Sequence, residues 1–271
     1  MAVVVPGDHT PPVPELLEVE RYRQAALGLV GRTIVDVDAP DAWFLKRGLT
    51  DSAARAALTD HRIEGWRRRG KLLLMDTDGP VLGLRFGMTG RLLVDGVLPV
   101  EGLEYGPRRT DVSWHRFGLR LAPAGSLVLE DARRLGGVEL GPDEDVLGPD
   151  ALAVTSRQLG QALAGGRGPL KAALLDQHRI AGLGNLLVDE ILWRAGLDPA
   201  RPAGGLDGRA RGSLLRAMRR VLRELDERGG SHTGDLQGAR LPGGLCPRDG
   251  TPLERRTIGG RTTYSCPAHQ R

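Results

Sequence analysis

A chain of 271 residues with 40% hydrophobic residues holds enough apolar material for two modest cores, and its 4% aromatic share makes aliphatic packing dominant. Formal net charge is +4 and the sequence pI is about 9.5, with nearly all the cations arginine, since the lysines are Lys46, Lys71 and Lys171. Arginine's planar fork of donors suits phosphate, so the balance points to a polyanion partner, although a GC-rich genome would raise arginine too; the lack of a long apolar run excludes a spanning helix. Residues 1–13 carry Pro6, Pro11 and Pro12, show no periodicity and no secretory leader, and are expected to be a disordered extension of a cytoplasmic, nucleoid-associated protein. A helix follows: Leu16, Val19, Ala26, Leu27 and Val30 recur at helical spacing, with Pro14 suited to its first turn and Gly31 to its stop. Short strand-like segments come next at 33–37, 71–76, 81–84, 112–121 and 126–130, separated by Gly, Pro and Asp without crossover helices, which predicts an antiparallel sandwich.

The acidic, turn-rich string GPDEDVLGP opens a linker over 141–155, after which the period becomes helical at 156–164, 170–176, 185–194 and 212–228. In the last of these Leu214, Leu215, Met218, Val221, Leu222 and Leu225 form one apolar stripe. Both cysteines, Cys246 and Cys266, fall in a compact tail, where metal binding is a better reading than a disulfide for an intracellular chain. The predicted plan is a disordered extension (1–13), a β-sandwich domain with flanking helices (14–140), the linker, a helical domain (156–230) and a C-terminal hairpin (240–271).

The most informative string is QHRIAGLGNLLVDEILWRAGLDP, residues 177–199, where Gly182 and Gly184 feed a helix beginning near Asn185. Free N–H groups at a helix start, with glycines that let a ligand approach the backbone, make an anion site, although a glycine turn in a helical hairpin has the same outline. The whole string resembles the helix–two-turn–helix element of the formamidopyrimidine-DNA glycosylase and endonuclease VIII family. The resemblance continues, in order, through PELLEVE at 14–20 (with Leu17 where a second proline is usual), RRRGKLLL around Lys71, LRFGMTGRL around Met88, DARRLG at 131–136, LKAALLDQ around Lys171, and the tail. It spans residues 14 to 271 and implies a multidomain α+β fold: an N-terminal β-sandwich, a helix–two-turn–helix domain and a C-terminal β-hairpin zinc finger.

The resemblance implies catalytic roles for Pro14, Glu15, Glu18 and Lys71. A proline amine attacks the sugar C1′, the base leaves, and elimination from the resulting iminium cuts the strand. An unperturbed α-amino group has a pKa of about 7.7–8.0, so a useful fraction is neutral at cellular pH. Glu15 would pass a proton to the sugar ring oxygen, with Glu18 one turn on. Taken alone, these acids would simply favour a helix N-terminus. Pro14 lies inside the sequence, where its nitrogen is an unreactive tertiary amide. Three readings follow: the extension is removed, translation starts at Val13 and the initiator is removed, or the chain binds DNA without chemistry. The second is the expectation.

Met88, Arg133, Arg134 and Leu135 are implied to enter the duplex or contact it beside an everted base, with Leu135 replacing an aromatic wedge common in the family; otherwise Met88 reads as core and the arginines as surface charge. Lys171, Asn185 and Arg261 are implied to hold phosphate. Cys246, Asp249, Cys266 and His269 are implied to hold a structural Zn²⁺, with Asp249 and His269 at positions usually cysteine; a metal-free hairpin is the alternative. The segment between Gly229 and Cys246 is short, whereas family members acting on 8-oxoguanine carry a longer loop there, so the lesion stays open. The expected activity is a monomeric base-excision glycosylase and AP lyase, cleaving by β,δ-elimination and acting on double-stranded DNA with a damaged base or abasic site. A non-catalytic DNA-binding paralogue and an RNA-binding zinc-hairpin protein are the other readings.

Overall fold

The computed structural model describes residues 14–100 and 111–271; the expected disordered extension lies outside the described residues. Two compact units divide between Val146 and Leu147, within the stretch read as a linker.

In the first unit, helix α1 (Leu16–Ala26) starts from Glu15 as its N-cap, and the Glu18 carboxylate accepts from the Glu15 N–H at 2.8 Å, which satisfies one orphan donor of the first turn. The helix runs into a 3₁₀ turn, and Gly31 at φ +87° redirects the chain into β1 (Thr33–Asp38). Helix α2 (Asp51–Leu58) is capped by Thr50 and buries Ala54 and Leu58. The strands β2 (Ile63–Arg69), β3 (Leu72–Thr77), β4 (Leu82–Arg85), β5 (Arg91–Val94), β6 (His115–Ala122), β7 (Ser126–Glu130) and β8 (Gly137–Leu140) complete two sheets. Their orders are β1-β6-β7-β5 and β2-β3-β4-β8, and every strand pair is antiparallel. Leu73, Met75 and Leu84 from one sheet join Leu119, Leu127 and Leu129 from the other in a common core. Each such side chain contributes roughly 1.5–3 kcal/mol. The expected sandwich is present, with α2, β2, β5 and β8 added to it. Residues Val112–Trp114, expected as the start of a strand, instead form a 3₁₀ turn because the Asp111 carboxylate accepts the Ser113 N–H at 3.0 Å.

The second unit contains α3 (Ser156–Leu163), α4 (Leu170–Leu175), α5 (Asn185–Ala195) and α6 (Gly208–Arg228). A capping box of Thr155 and Gln158 opens α3, and Gly196 at φ +69° closes α5. Helix α6 starts one turn earlier than the stripe suggested because Asp207 caps it, accepting from Ala210 N–H at 2.7 Å. The tail forms a hairpin of β9 (Glu254–Ile258) and β10 (Arg261–Ser265). This hairpin belongs to the same compact unit as the helices, since Trp193 of α5 packs with Leu236, Cys246 and Cys266. No helix among the described residues is long and apolar enough to cross a membrane.

Candidate functional site

Pro14, Glu15 and Glu18 are all buried, at the start of α1. Burial, with Glu18 adding to it, pushes the neighbouring Tyr22 phenol above its usual range, so it stays protonated. One turn on, Glu20 accepts from Arg68 Nε at 3.1 Å, and Arg68 also donates to the Gly70 carbonyl at 2.7 Å. Burial raises the Glu20 pKa, but Arg23 and Arg68 outweigh it and hold the carboxyl below its ordinary range. The Arg69–Leu72 register leaves Gly70 and Lys71 as a two-residue turn, with Gly70 at φ +59°. The Glu20–Arg68–Gly70 chain thus ties α1 to the hairpin tip that carries Lys71.

The loop joining β4 to β5 carries Met88, which is half-buried, and the loop from β7 to β8 carries Arg133 and Leu135, both exposed. One fully buried carboxylate joins them. Asp131 accepts from Thr89 Oγ1 at 2.5 Å, Arg133 N–H at 3.1 Å, Leu135 N–H at 2.9 Å and Gly136 N–H at 2.8 Å. A Cβ on Gly87 would strike the backbone of Leu135 and Gly136, so the two loops meet closely. Arg134, at φ +58°, turns the other way and makes two 2.6 Å bonds with Asp41. The Arg134 guanidinium holds the Asp41 carboxyl below its usual range.

In the second unit, Gln177 braces the loop before α5, donating to the Leu175 and Leu183 carbonyls at 2.9 and 3.0 Å and accepting Gly182 N–H at 2.8 Å. Asn185 opens α5 and donates to the Thr262 carbonyl at 3.2 Å, which places it beside the exposed Arg261. Gly259 and Gly260, at φ +60° and +72°, form the hairpin turn, and a Cβ on Gly259 would press on Ala172 of α4. Lys171 is fully buried and donates to Asp189 at 2.6 Å, the Thr262 carbonyl at 3.1 Å and Thr263 Oγ1 at 2.8 Å. The other Asp189 oxygen takes Arg240.

Cys246, Asp249, Cys266 and His269 bring their ligand atoms within 4.8 Å of one another. Cys266 Sγ lies 3.5 Å from both Asp249 oxygens, Cys246 Sγ 3.8 Å from His269 Nδ1, and His269 Nδ1 2.8 Å from Asp249 Oδ2. A tetrahedral ion with bonds of about 2.0 Å to N or O and 2.3 Å to S needs ligand atoms roughly 3.3–3.8 Å apart, so the cluster fits a metal ion with small adjustment. His269 Nε2 faces the Trp193 carbonyl at 3.2 Å, which sets the ring with Nδ1 toward the cluster. The Thr251 N–H, then His269, hold the Asp249 carboxyl well below its ordinary range.

Residues 13–138 match the formamidopyrimidine-DNA glycosylase N-terminal domain, and residues 147–236 match the H2TH domain of the same enzyme. The chain belongs to the formamidopyrimidine-DNA glycosylase family. A formamidopyrimidine-DNA glycosylase of Cereibacter sphaeroides is 35% identical, with 96% of this chain and 100% of that protein covered, and one of Thermus thermophilus is 34% identical over 95% and 98%. The Lactococcus lactis Fpg, solved in complex with abasic-site DNA, superposes with a TM-score of 0.79 at 25% identity, covering 95% of this chain and 100% of that one.

Among the residues the family resemblance singled out, Met88, Arg133 and Leu135 come together on one surface, and Asn185 lies beside Arg261. Two are placed differently. Lys171 is sealed in the interior with its donors spent on the protein, so it fixes the hairpin against α4 and α5 and does not itself reach a phosphate. Arg134 is committed to Asp41 and holds the loop that presents its neighbours. Sequence reasoning missed Asp131, Asp41, Asp189 and Gln177. A signal existed for Asp189: with Glu190 it makes two adjacent acids inside the apolar run LLVDEILW, a pattern that demands buried cationic or N–H partners.

Proposed function

We propose that this glycosylase-family chain is a base-excision DNA glycosylase with AP lyase activity on duplex DNA carrying a damaged base or an abasic site. The observation that carries the reading is the union of the Met88 and Arg133–Leu135 loops on the Asp131 carboxylate. Everting a nucleotide costs a few kcal/mol of unstacking, and side chains inserted from a rigid platform offset it. The names of the full-length relatives and the DNA complexes of the Lactococcus lactis Fpg, with abasic-site DNA and with Fapy-dG DNA, support the same reading.

Arg133 hydrogen-bonds the orphaned base, while Met88 and Leu135 fill the gap. Asn185 and Arg261 hold phosphate. The Pro14 amine, when it is the free N-terminus, attacks C1′, the glycosidic electron pair leaves with the base, and the departing base takes up the proton that the new ammonium loses. The ring oxygen takes a proton from Glu15 as the C1′–O4′ bond opens, leaving an iminium; loss of a C2′ proton then expels the 3′ phosphate, and a second elimination releases the 5′ phosphate. Glu18 holds the start of α1 in place, and Lys71 completes the set from the hairpin tip. Cys246, Asp249, Cys266 and His269 hold a structural zinc, which fixes the hairpin that presents Arg261 and takes no chemical step. The protein acts as a monomer in the cytoplasm, on nucleoid DNA.

Borohydride trapping on an abasic-site duplex tests the reading, comparing the 271-residue chain with one that begins at Pro14. A covalent complex from the shorter chain establishes the proline nucleophile. Binding by both chains with trapping by neither leaves a DNA-binding protein without lyase chemistry.

A further inference from the structure

We infer that Trp43 is a second duplex-contacting aromatic, stacking on the undamaged strand beside the orphaned base; this rests on the glycosylase reading above. Trp43 is 68% exposed, and it is the one exposed Phe, Tyr or Trp among the described residues. An indole carries more apolar surface than almost any other side chain, and leaving it open contributes nothing to folding. Its place in the fold gives it a use.

The segment bearing Trp43 is tied to the loop that carries Arg133 and Leu135. Asp41 accepts the Trp43 N–H at 3.1 Å and, through the same carboxylate, both bonds from Arg134. The adjoining residues ride on β8, the strand that follows the wedge loop directly: Val138 N–H donates to the Phe44 carbonyl at 3.0 Å, and Lys46 N–H to the Val138 carbonyl at 2.9 Å. A Cβ on Gly137 would strike the Lys46 side chain and the Phe44 carbonyl, and one on Gly136 would strike the Arg85 carbonyl and press on the Phe44 ring. Lys46 donates to the Trp43 carbonyl at 2.8 Å and holds its ammonium 5.4 Å above the ring. The backbone that carries the indole is therefore held on both sides.

The surroundings complement a polyanion. Lys46 lies over the ring, Arg134 shares the Asp41 carboxylate with the Trp43 N–H, and the carboxylates these segments meet, Asp41 and Glu139, are buried and bonded to Arg134, Arg47 and Arg85. An exposed aromatic among cations is the arrangement that stacks unpaired bases. Leu135, 51% exposed, has no π-face with which to do so. Wedge insertion unstacks the bases flanking the lesion, and Trp43 offers one of them a new partner.

Anisotropy titrations at fixed salt, using the full chain and a labelled duplex with a tetrahydrofuran abasic analogue, test this against the same duplex intact. Trp43→Ala is expected to weaken lesion-duplex binding about tenfold, Trp43→Phe about twofold, and intact-duplex binding less than twofold in either case. Lesion-duplex binding should also quench the wild-type tryptophan emission, and Trp43→Phe should lose most of that quenching. An exposed position leaves the melting temperature unchanged, which separates the effect from unfolding. Wild-type affinity for the lesion duplex in Trp43→Ala, or an equal loss on both duplexes, overturns the inference while leaving the glycosylase reading intact. Failure of the wild type itself to prefer the lesion duplex overturns both.

Discussion

Removing the Asp131 carboxylate is the sharpest perturbation of the proposed invasion surface. Asp131→Ala strips the acceptor from four donors: Thr89 Oγ1, Arg133 N–H, Leu135 N–H and Gly136 N–H. Water can reach the Arg133 and Leu135 amides, which sit on exposed residues, but Gly136 and Thr89 are buried. Two buried donors left without a partner cost about 1–3 kcal/mol each, so the variant should lose roughly 3 kcal/mol. For a unit of this size that is roughly 10 °C in melting temperature. Asp131→Asn should lose only about 1 kcal/mol. Its amide oxygen still accepts from Leu135 and Gly136 and its NH₂ donates to Thr89, leaving Arg133 with the Thr89 oxygen at 3.3 Å. Urea unfolding followed by circular dichroism reads both values, and the rate of base release opposite each of the four normal bases reads the functional consequence. The alanine variant should lose opposite-base discrimination as the Arg133 backbone loosens. An alanine variant within 0.5 kcal/mol of wild type, below the roughly 1 kcal/mol of a single hydrogen bond, would refute the claim that this carboxylate fastens the two loops.

Asn185→Ala and Arg261→Ala should each weaken duplex binding about tenfold by loss of one hydrogen bond to phosphate; Arg261→Ala should leave the melting temperature unchanged, whereas Asn185→Ala should lower it slightly because its bond to the Thr262 carbonyl is lost too. Arg261→Ala should also reduce the salt slope of binding by about one, and affinities equal to wild type would remove both residues from the phosphate grip. Lys171→Met removes the ammonium from Asp189, leaving it with Arg240 and the Tyr264 N–H in the interior, and should destabilise the protein by about 3–5 kcal/mol, read by urea denaturation. A chelator should lower the melting temperature of the purified protein, and elemental analysis should find zinc in wild type and little in Cys266→Ser; wild-type protein free of metal at full stability would exclude the ion. Arg220 and then Arg194 hold the Glu224 carboxyl down to about 2, from an ordinary 4.5. Its contribution is full above pH 4.5 and fades as pH falls toward 2, so Glu224→Gln should narrow the stability gap to wild type across that window, as a pH series of melts would show.

The helical half was legible because its signals are local. Thr155 caps α3, the α6 stripe keeps its period although the Asp207 cap starts the helix a turn before it, and Gly184 and Gly196 mark the ends of α5. The sandwich was legible as a class and less so in detail. β2 reads EGWRRR along most of its length, and a register shift between Ile63 and Gly65 puts its two buried residues, Ile63 and Trp66, three apart, which breaks the alternation that marks a strand. β5 and β8 have four residues each, and in both a charged residue is buried by a partner distant in sequence: Arg91 on Glu130, Glu139 on Arg47 and Arg85. A window that sees only neighbours reads such residues as solvent-facing. Lys171 failed for the same reason, because its three acceptors come from α5 and β10.

These placements also change the meaning of the net charge. Among the described residues, eight acids (Glu15, Glu18, Asp41, Glu130, Asp131, Glu139, Asp189 and Glu190) are buried, against Arg91 and Lys171 for the bases. Burial therefore takes more negative than positive charge off the described surface. The buried acids are not spread at random. Asp131 and Asp41 hold the loop of Arg133 and Leu135, and Asp189 holds the hairpin of Arg261 through Lys171 and Arg240. Carboxylates near a polyanion would repel it if exposed, yet they are the strongest acceptors for fixing loops rich in N–H groups and arginine. Sinking them behind the loops they hold resolves the conflict in each unit: negative charge does the ordering from inside, and the arginines those loops present are left to the solvent and to phosphate.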